Sequence, residues 1–329
     1  MTSPARYAEL PGTGGELAAG RMCPIDYRYA PAVLDRRAEL AAEVLYVVGG
    51  LYGNLAALAA VEALAAAGHA PPTIVLNGDF HWFDAEPSWF AEVERRSSDN
   101  LAIRGNVETE IARAGDIGAG CGCAYPRTVD DDVVRRSNEI LRELRDTAGA
   151  LPGARTRLAA LPMHLVANVG DLKVGIVHGD ATSLAGWRFA DGALDDPAAR
   201  GWLDHVRRAS RIDVFASTHT CLAALRDFGL PAGRLSIINN GAAGMPNFSG
   251  TQLGLISRIA TRRSPHPALY GMTRENVHID AIALAYDTHE FAARFLARWP
   301  AGSAAHASYF RRINAGPDHA IVDAGRAAA

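Results

Sequence analysis

The sequence is poor in cysteine and has no long apolar run. Only four cysteines occur among 329 residues. No window approaches the roughly 18 uninterrupted apolar residues of a membrane-spanning helix. Residues 1–20 have no basic start followed by an apolar stretch, so we expect no secretory signal. We therefore expect a cytoplasmic chain with no membrane partner, in which the thiols stay reduced.

A marked excess of charge of either sign is also absent. The formal net charge is -3 and the sequence pI is about 6.4, which gives no general reason to expect nucleic acid as a partner. Hydrophobic residues make up 49% of the chain, enough for a substantial core. We expect residues 1–40 to form an N-terminal extension, 41–300 a single domain, and 301–329 an irregular C-terminal tail.

The segments present between these ends alternate between short apolar runs and helical stretches. Apolar runs at 43–48, 73–76 and 101–104 predict strands, and the Ala-rich segment 55–67 predicts a helix that Asn54 caps. A β-hairpin is expected in HLVANVGDLKVGIVHGD, with its turn at Gly170. Further helices are expected near 131–147, 197–209 and 289–299, and further strands at 212–216, 235–238, 254–259 and 277–286. This rhythm indicates an α/β fold whose loops gather at the strand ends.

Four polar residues follow predicted strands directly. Asp79, Asn106, His178 and His219 each come just after a short apolar run. In an open α/β sheet such positions meet at one edge, where ligands bind. A carboxylate, an amide oxygen and two imidazoles are suitable ligands for a divalent transition metal. One His in such a place is usually structural, but four ligand types in the same setting favour a metal site.

At these positions the sequence resembles the calcineurin-like metallophosphoesterase superfamily over residues 45–246. VVGGLYGNLAAL is similar to its first motif, Asp-x-His-Gly-Asn-Leu, and VLNGD to its second, Gly-Asp. IRGNVE, IVHGD and ASTHT resemble the third, fourth and fifth motifs, and INNGAAG the stretch that follows them. The resemblance implies a four-layer αββα sandwich of two mixed sheets, with two metals between the strand ends.

The retained motif residues imply a metal centre with unequal halves. By the resemblance, Asp79 bridges the two metals, Asn106 and His178 bind one metal, and His219 binds the other. These four residues are the predicted metal ligands, for one or two divalent ions of the Mn, Fe or Zn class.

The departures from the motifs affect the second metal and the proton donor. The first-motif Asp and His fall on Gly50 and Tyr52, the catalytic His of the third motif on Val107, and the first His of the fifth motif on Ser217. The departures therefore imply an altered metal centre, and no catalytic residue is assigned.

Three further residues are candidates for an additional metal or substrate contact. His81 and Glu108 lie two positions after Asp79 and Asn106, so in extended backbone they would point to the same side as those ligands. The alternative places both on a solvated rim. Tyr52 could donate its phenol hydrogen to a phosphate oxygen, or it could simply pack against Trp82.

The cysteines are open to two interpretations. Cys121 and Cys123 form a C-x-C pair in a Gly-rich loop, and Cys221 follows His219 by two residues. Together with Cys23 they could bind zinc if they converged. Reduced thiols in a folded loop is the favoured interpretation.

Taken together, these features favour a hydrolase. The predicted function is metal-dependent hydrolysis of a phosphate ester, as a phosphatase or phosphodiesterase, with a phosphorylated small molecule as substrate. The alternative is an inactive protein of the same fold that binds a ligand or partner, which the changes at Gly50, Tyr52, Val107 and Ser217 favour. The sequence assigns neither the natural substrate nor the oligomeric state.

Overall fold

A computed structural model describes residues 18–68 and 70–326 of the chain. Residues 1–17 of the expected extension and 327–329 of the expected tail therefore lie outside the described part. Within it, no helix is both long and apolar enough to cross a membrane.

Twelve strands are found among the described residues. They are β1 (Leu40–Ala41), β2 (Val44–Val48), β3 (Thr73–Asn77), β4 (Leu101–Ile103), β5 (His164–Val169), β6 (Leu172–Val177), β7 (Val214–Ser217), β8 (Ala223–Leu230), β9 (Gly233–Asn240), β10 (Gly254–Ala260), β11 (Ala268–Arg274) and β12 (Val277–Leu284).

The α-helices of the described part number ten. They are α1 (Leu55–Ala66), α2 (Pro87–Ser97), α3 (Asn106–Ala112), α4 (Asp131–Ala150), α5 (Ala154–Ala160), α6 (Asp191–Leu194), α7 (Ala199–Ser210), α8 (Thr288–Arg298), α9 (Ala304–Ala315) and α10 (Ile321–Ala324).

The strands form two mixed six-stranded sheets. The first has the order β11-β12-β10-β2-β3-β4, with β2, β3 and β4 parallel. The second has the order β1-β5-β6-β7-β9-β8, with β6, β7 and β9 parallel. The hairpin predicted around Gly170 is the antiparallel pair β5–β6.

The sheets pack face to face, and helices cover their outer faces. Apolar side chains of β2, β3 and β4 meet those of β6, β7 and β9 in one buried cluster. The outer face of the first sheet packs against α1, α2, α4, α8 and α9, and that of the second against α7. Burial on both faces explains why β2, with the sequence VLYVV, is buried along its whole length. The four-layer αββα sandwich is confirmed.

The segment after Pro300 differs from the expected irregular tail. Residues 304–315 form the helix α9, which Ser303 caps. Ala305 and Ile313 are buried, and Arg136 Nε on α4 donates to Ser308 Oγ at 2.7 Å. The sequence prediction failed here because the helix is Ala-rich and has a narrow apolar face.

Eight further elements were not predicted from the sequence. They are the helices α2, α3, α5, α6 and α10 and the strands β1, β8 and β11. β8 is interrupted by Arg226 and Asp227, and β11 is an edge strand that is largely exposed, so neither shows a clear apolar run.

Candidate metal centre

The four strand-end side chains lie in one buried cluster. His178 Nε2 is 3.1 Å from Asn106 Oδ1, 3.1 Å from His219 Nδ1 and 3.4 Å from Asp79 Oδ1. One ligand atom each from Asp79, His178 and His219 lies within 4.8 Å of the others. The four predicted ligands are therefore brought together, because β3 and β4 of one sheet and β6 and β7 of the other end at the same edge.

Two tight loops set the position of Asp79. Gly78 and Asp79 both have positive φ, 77° and 52°, directly after β3. A Cβ on Gly78 would lie 2.6 Å from Gly105 N, so only glycine permits the close approach of the loops after β3 and β4. The turn after β2 also bonds to this loop, with Tyr52 N donating to Asp79 O at 3.0 Å. Backbone strain of this kind is often concentrated at functional sites.

Backbone carbonyls fix the orientation of both imidazoles. His178 Nδ1 lies 2.9 Å from Asn77 O, and His219 Nε2 lies 3.0 Å from Cys123 O. A carbonyl oxygen can only accept, so these nitrogens carry the hydrogens, and in the neutral rings the lone pairs are on His178 Nε2 and His219 Nδ1. This is the arrangement that orients metal-binding histidines in other proteins.

The amide of Asn106 is oriented in the same way. Its Nδ2 donates to Cys121 O at 2.9 Å, which turns Oδ1 towards His178. Four acceptor atoms thus surround one small space: two imidazole nitrogens, one amide oxygen and one carboxylate oxygen.

The charges within the cluster depend strongly on one another. Burial by itself lowers the pKa of His178, but the Asp79 carboxylate raises it above its ordinary value. Burial and the neighbouring His178 lower the pKa of His219 to about 3. Burial by itself raises the pKa of Asp79, whereas His178 lowers it, and the lowering prevails. The cluster therefore favours an ionised carboxylate together with one positive charge, which a proton or a metal ion can supply.

His219 shares this centre with the other three ligands. The motif comparison assigns it to the second metal, away from Asn106 and His178. In the structure its Nδ1 faces His178 Nε2 directly, because β6 and β7 are parallel neighbours. The geometry therefore brings the four predicted ligands around one point instead of dividing them between two half-sites.

Glu108 is buried but does not face the cluster as a free ligand. Its Oε2 accepts from Asp79 N and Gly105 N at 2.8 Å each, and its Oε1 accepts from Phe80 N and His81 N at 3.0 and 3.3 Å. It stands at the third position of α3 and reaches back to the N-terminal cap, as Glu does in a capping box. Neither the expected metal contact nor the alternative of a solvated rim describes it, because its oxygens already serve the backbone.

His81 is likewise buried and engaged elsewhere. Its Nδ1 lies 2.5 Å from Asp84 Oδ2 and its Nε2 3.3 Å from Glu94 Oε1, and the ring stacks on Phe90. Burial by itself lowers the pKa of His81, but Asp84 and Glu94 raise it to about 10. A protonated imidazole has no lone pair for a metal. His81 therefore neither offers a metal contact nor lies on a solvated rim.

Tyr52 lies beside the centre, in contact with a cysteine. Its hydroxyl is 2.9 Å from Cys221 Sγ, and its ring centroid is 6.1 Å from that of Phe83, instead of the packing against Trp82 that the sequence suggests. A Cβ on Gly50 would lie 2.9–3.0 Å from the Tyr52 ring, so the ring fills the space beside Gly50. Burial raises the pKa of Tyr52 well above its ordinary value, which keeps the phenol protonated.

The cysteines form no thiolate metal site among the described residues. All four are free, and none joins the cluster of possible metal ligands. Cys121 and Cys123 contribute through their main chains, since their carbonyl oxygens hold Asn106 and His219. Trp187 Nε1 donates to the same carbonyl of Cys123 at 3.0 Å. A sequence carries no signal for a carbonyl acceptor of this kind, and these contacts were not predicted.

Two solved structures are similar to nearly the whole chain. A hypothetical protein from Pyrococcus horikoshii OT3 matches with a TM-score of 0.56 and 17% identity, covering 85% of this chain and 100% of its own. A metallophosphoesterase from Sphaerobacter thermophilus matches with a TM-score of 0.50 and 16% identity, covering 83% and 100%. No family model and no curated protein matches the sequence.

The fold of the chain is therefore that of the metallophosphoesterases. This confirms the fold that the resemblance of the six motifs implies. The fold places a possible metal site of Asp79, His178 and His219 at the strand ends.

Proposed function

We propose that the protein hydrolyses a phosphate ester with the help of one divalent metal ion. The observation that carries the proposal is the convergence of four acceptor atoms, from Asp79, Asn106, His178 and His219, with no donor hydrogen among them in the neutral tautomers. Buried acceptors that face one another are unfavourable unless a cation lies between them.

The donor set fits a metal of the Mn, Fe or Zn class. Two imidazole nitrogens favour a transition metal over Mg²⁺ or Ca²⁺, and the carboxylate supplies the negative charge. Asp79, Asn106, His178 and His219 would hold the ion. When bound, such a metal polarises a phosphoryl oxygen and makes a water molecule more acidic.

The residues around the four ligands set the orientation of the imidazoles and the kind of leaving group that the site accepts. Asn77 O and Cys123 O hold the imidazoles in place, so the ligand atoms need no rearrangement when the metal enters. Val107, which takes the place of a catalytic His, is buried and carries no proton to donate. The substrate therefore needs a leaving group that departs without a proton from this position, such as an aryl oxide or a phosphate.

A second candidate function is binding without turnover. The burial of the cluster favours it, because Asp79 and His219 are only 5% exposed and His178 is fully buried. In that case the metal would have a structural role, and the fold would present a ligand- or partner-binding surface.

One paired experiment separates the two functions. The purified protein is loaded with Mn²⁺, Fe²⁺ or Zn²⁺ in turn, its metal content is measured by mass spectrometry, and hydrolysis of p-nitrophenyl phosphate and bis-p-nitrophenyl phosphate is followed. We expect about one tightly held ion per chain for the single four-ligand centre. We also expect hydrolysis that disappears on chelation and returns with metal.

A control variant tests whether metal content and hydrolysis depend on the proposed site. Asp171 lies exposed in the β5–β6 turn, and Asp171→Asn should leave both metal content and hydrolysis unchanged. Metal without any hydrolysis of either ester would favour the binding function. Hydrolysis that persists after complete removal of the metal would overturn the proposed function.

A further inference from the structure

The helix α9 brings two side chains to the loops that flank the candidate metal centre. Tyr309 packs its ring against Phe83 and Trp82, with centroids 5.1 and 6.3 Å apart. Arg312 follows three residues later on the same face of the helix and reaches the loop that contains Cys221. The sequence analysis assigned neither residue a role, because both lie in the segment expected to be an irregular tail.

The guanidinium of Arg312 is held in place by the main chain. Its Nη2 donates to Cys221 O at 2.7 Å and its Nε to Pro246 O at 3.1 Å. Both contacts are to loops that follow β7 and β9, so the guanidinium is held at two points. Its Nη1 donates to no described residue, which leaves hydrogens for a ligand.

Arg312 has no carboxylate partner in the described part of the chain. Arg226 offers a contrast, since it also bonds to main-chain carbonyls but pairs with both Asp191 and Asp195. A partly buried guanidinium that only carbonyls hold retains its full charge for an anion. Arginine is particularly suited to carboxylate and phosphate oxygens because its donors form a planar fork.

The contacts of Cys221 connect this guanidinium to the metal ligands. Cys221 Sγ lies 2.9 Å from Tyr52 Oη, and Tyr52 N donates to Asp79 O. Burial raises the pKa of the Cys221 thiol, and the nearby charge of Arg312 opposes that rise. Cys221 and Arg312 are partly exposed, whereas Asp79 and Tyr52 are buried, so Arg312 lies on the more exposed side of these contacts.

From these contacts we propose that Arg312 binds a non-bridging oxygen of the substrate's phosphate group, with the Tyr52 hydroxyl beside it. The inference rests on the proposed function and names a substrate-binding residue for it. In this arrangement helix α9 is part of the substrate site and supplies the positive charge that binds the phosphate.

The test measures phosphate binding separately from turnover. Inorganic phosphate is titrated into the metal-loaded protein by calorimetry, and KM and kcat are determined for p-nitrophenyl phosphate. Arg312→Gln should weaken phosphate binding and raise KM by about tenfold or more, which corresponds to the loss of a charge-assisted hydrogen bond. Metal content should stay at the wild-type level, because Arg312 is not a ligand.

Two further variants control for folding and for general charge. Arg311→Gln removes a neighbouring exposed charge on the same helix and should change neither value. Arg312→Lys keeps the charge but loses the planar fork, so its phosphate affinity should lie between those of the wild type and Arg312→Gln. If Arg312→Gln unfolds, the Lys variant still tests the inference.

The possible results distinguish the inference from the proposed function. Phosphate binding that depends on Arg312, in a protein that hydrolyses neither ester, would support the anion site and contradict the proposed function. Metal-dependent hydrolysis with unchanged KM and phosphate affinity in both Arg312 variants would overturn the inference alone. A wild-type protein that binds no phosphate at millimolar concentrations would also overturn it.

Discussion

Two buried polar clusters lie on either side of the loop that follows β3, and they differ in the balance of donors and acceptors. The metal centre presents acceptor atoms from Asp79, Asn106, His178 and His219 to one another. In the second cluster, the backbone cluster, the carboxylate of Glu108 receives four main-chain N–H groups, and His81 lies between Asp84 and Glu94. In the first cluster the acceptors face one another and need a positive charge between them, from a proton or a metal ion, whereas in the second cluster donors and acceptors are already matched.

The backbone conformation explains why the sequence alone does not show which of these residues belong to which cluster. His81 follows Asp79 by two residues, and extended backbone would point both side chains to the same side. The positive φ of Gly78 and Asp79 breaks that alternation and turns His81 towards α2. Glu108 follows Asn106 by two residues inside a helix, where the two side chains diverge.

The largest expected effect is on the metal centre itself. Asp79→Asn should abolish metal binding, because Asp79 is the only anionic group among the four acceptors and Asn keeps nearly the same shape. The measurement is metal stoichiometry on the folded, purified variant after dialysis. Stoichiometry equal to that of the wild type would contradict the assignment of Asp79 as a ligand.

A smaller loss is expected from the removal of one neutral ligand. His219→Ala should weaken metal binding but leave a site of Asp79, Asn106 and His178 that fills at higher metal concentration. Competition with a metal-sensitive dye measures the affinity of both variants. Complete loss in His219→Ala with retention in Asp79→Asn would mean that the metal is held by other residues.

The strand ends were predictable from the sequence, and the loops between them were not. Short apolar runs such as VLYVV and the hairpin around Gly170 define the sheets, and the polar residue after each run marks the common edge. The orientation of His81 depends on the φ of Asp79, and that of the imidazoles on carbonyl groups of Asn77 and Cys123. Such contacts arise from tertiary packing and leave no residue-type signal.

One structural role did have a signal in the sequence. In IRGNVE, a Glu three residues after the N-cap glycine matches the Glu half of a capping box, in which the carboxylate accepts from the N-cap N–H. The assumption of extended backbone after Asn106 instead made the same Glu a candidate for a metal contact. The contribution of Arg312 had no such signal, because α9 was not recognised as a helix.

In the backbone cluster, the larger effect is expected at Glu108. Glu108→Gln replaces one carboxylate oxygen with an amide NH2 group. This group faces two main-chain N–H donors, which then lose their acceptor. We expect the free energy of unfolding of the metal-free protein to fall by about 4 kcal/mol. Urea denaturation measures it, and Glu92→Gln at a partly exposed surface ion pair with Arg95 serves as the control, with a change within about 0.5 kcal/mol. An unchanged stability in Glu108→Gln would show that these hydrogen bonds do not form in solution.

The smallest effect, and the sharpest test of the comparison, is expected at His81. His81→Gln removes the cation between Asp84 and Glu94 but leaves a side chain that can still donate to one of them. We expect the free energy of unfolding to fall by about 2 kcal/mol, as for the loss of one charge-assisted hydrogen bond. Metal stoichiometry and affinity should equal those of the wild type, because the His81 ring faces Phe90 and the two carboxylates instead of the centre. Calorimetric metal titration and urea denaturation of the same preparation give both values. A stable variant with weakened metal binding would make His81 a ligand after all, and the contrast between the two clusters would then be wrong.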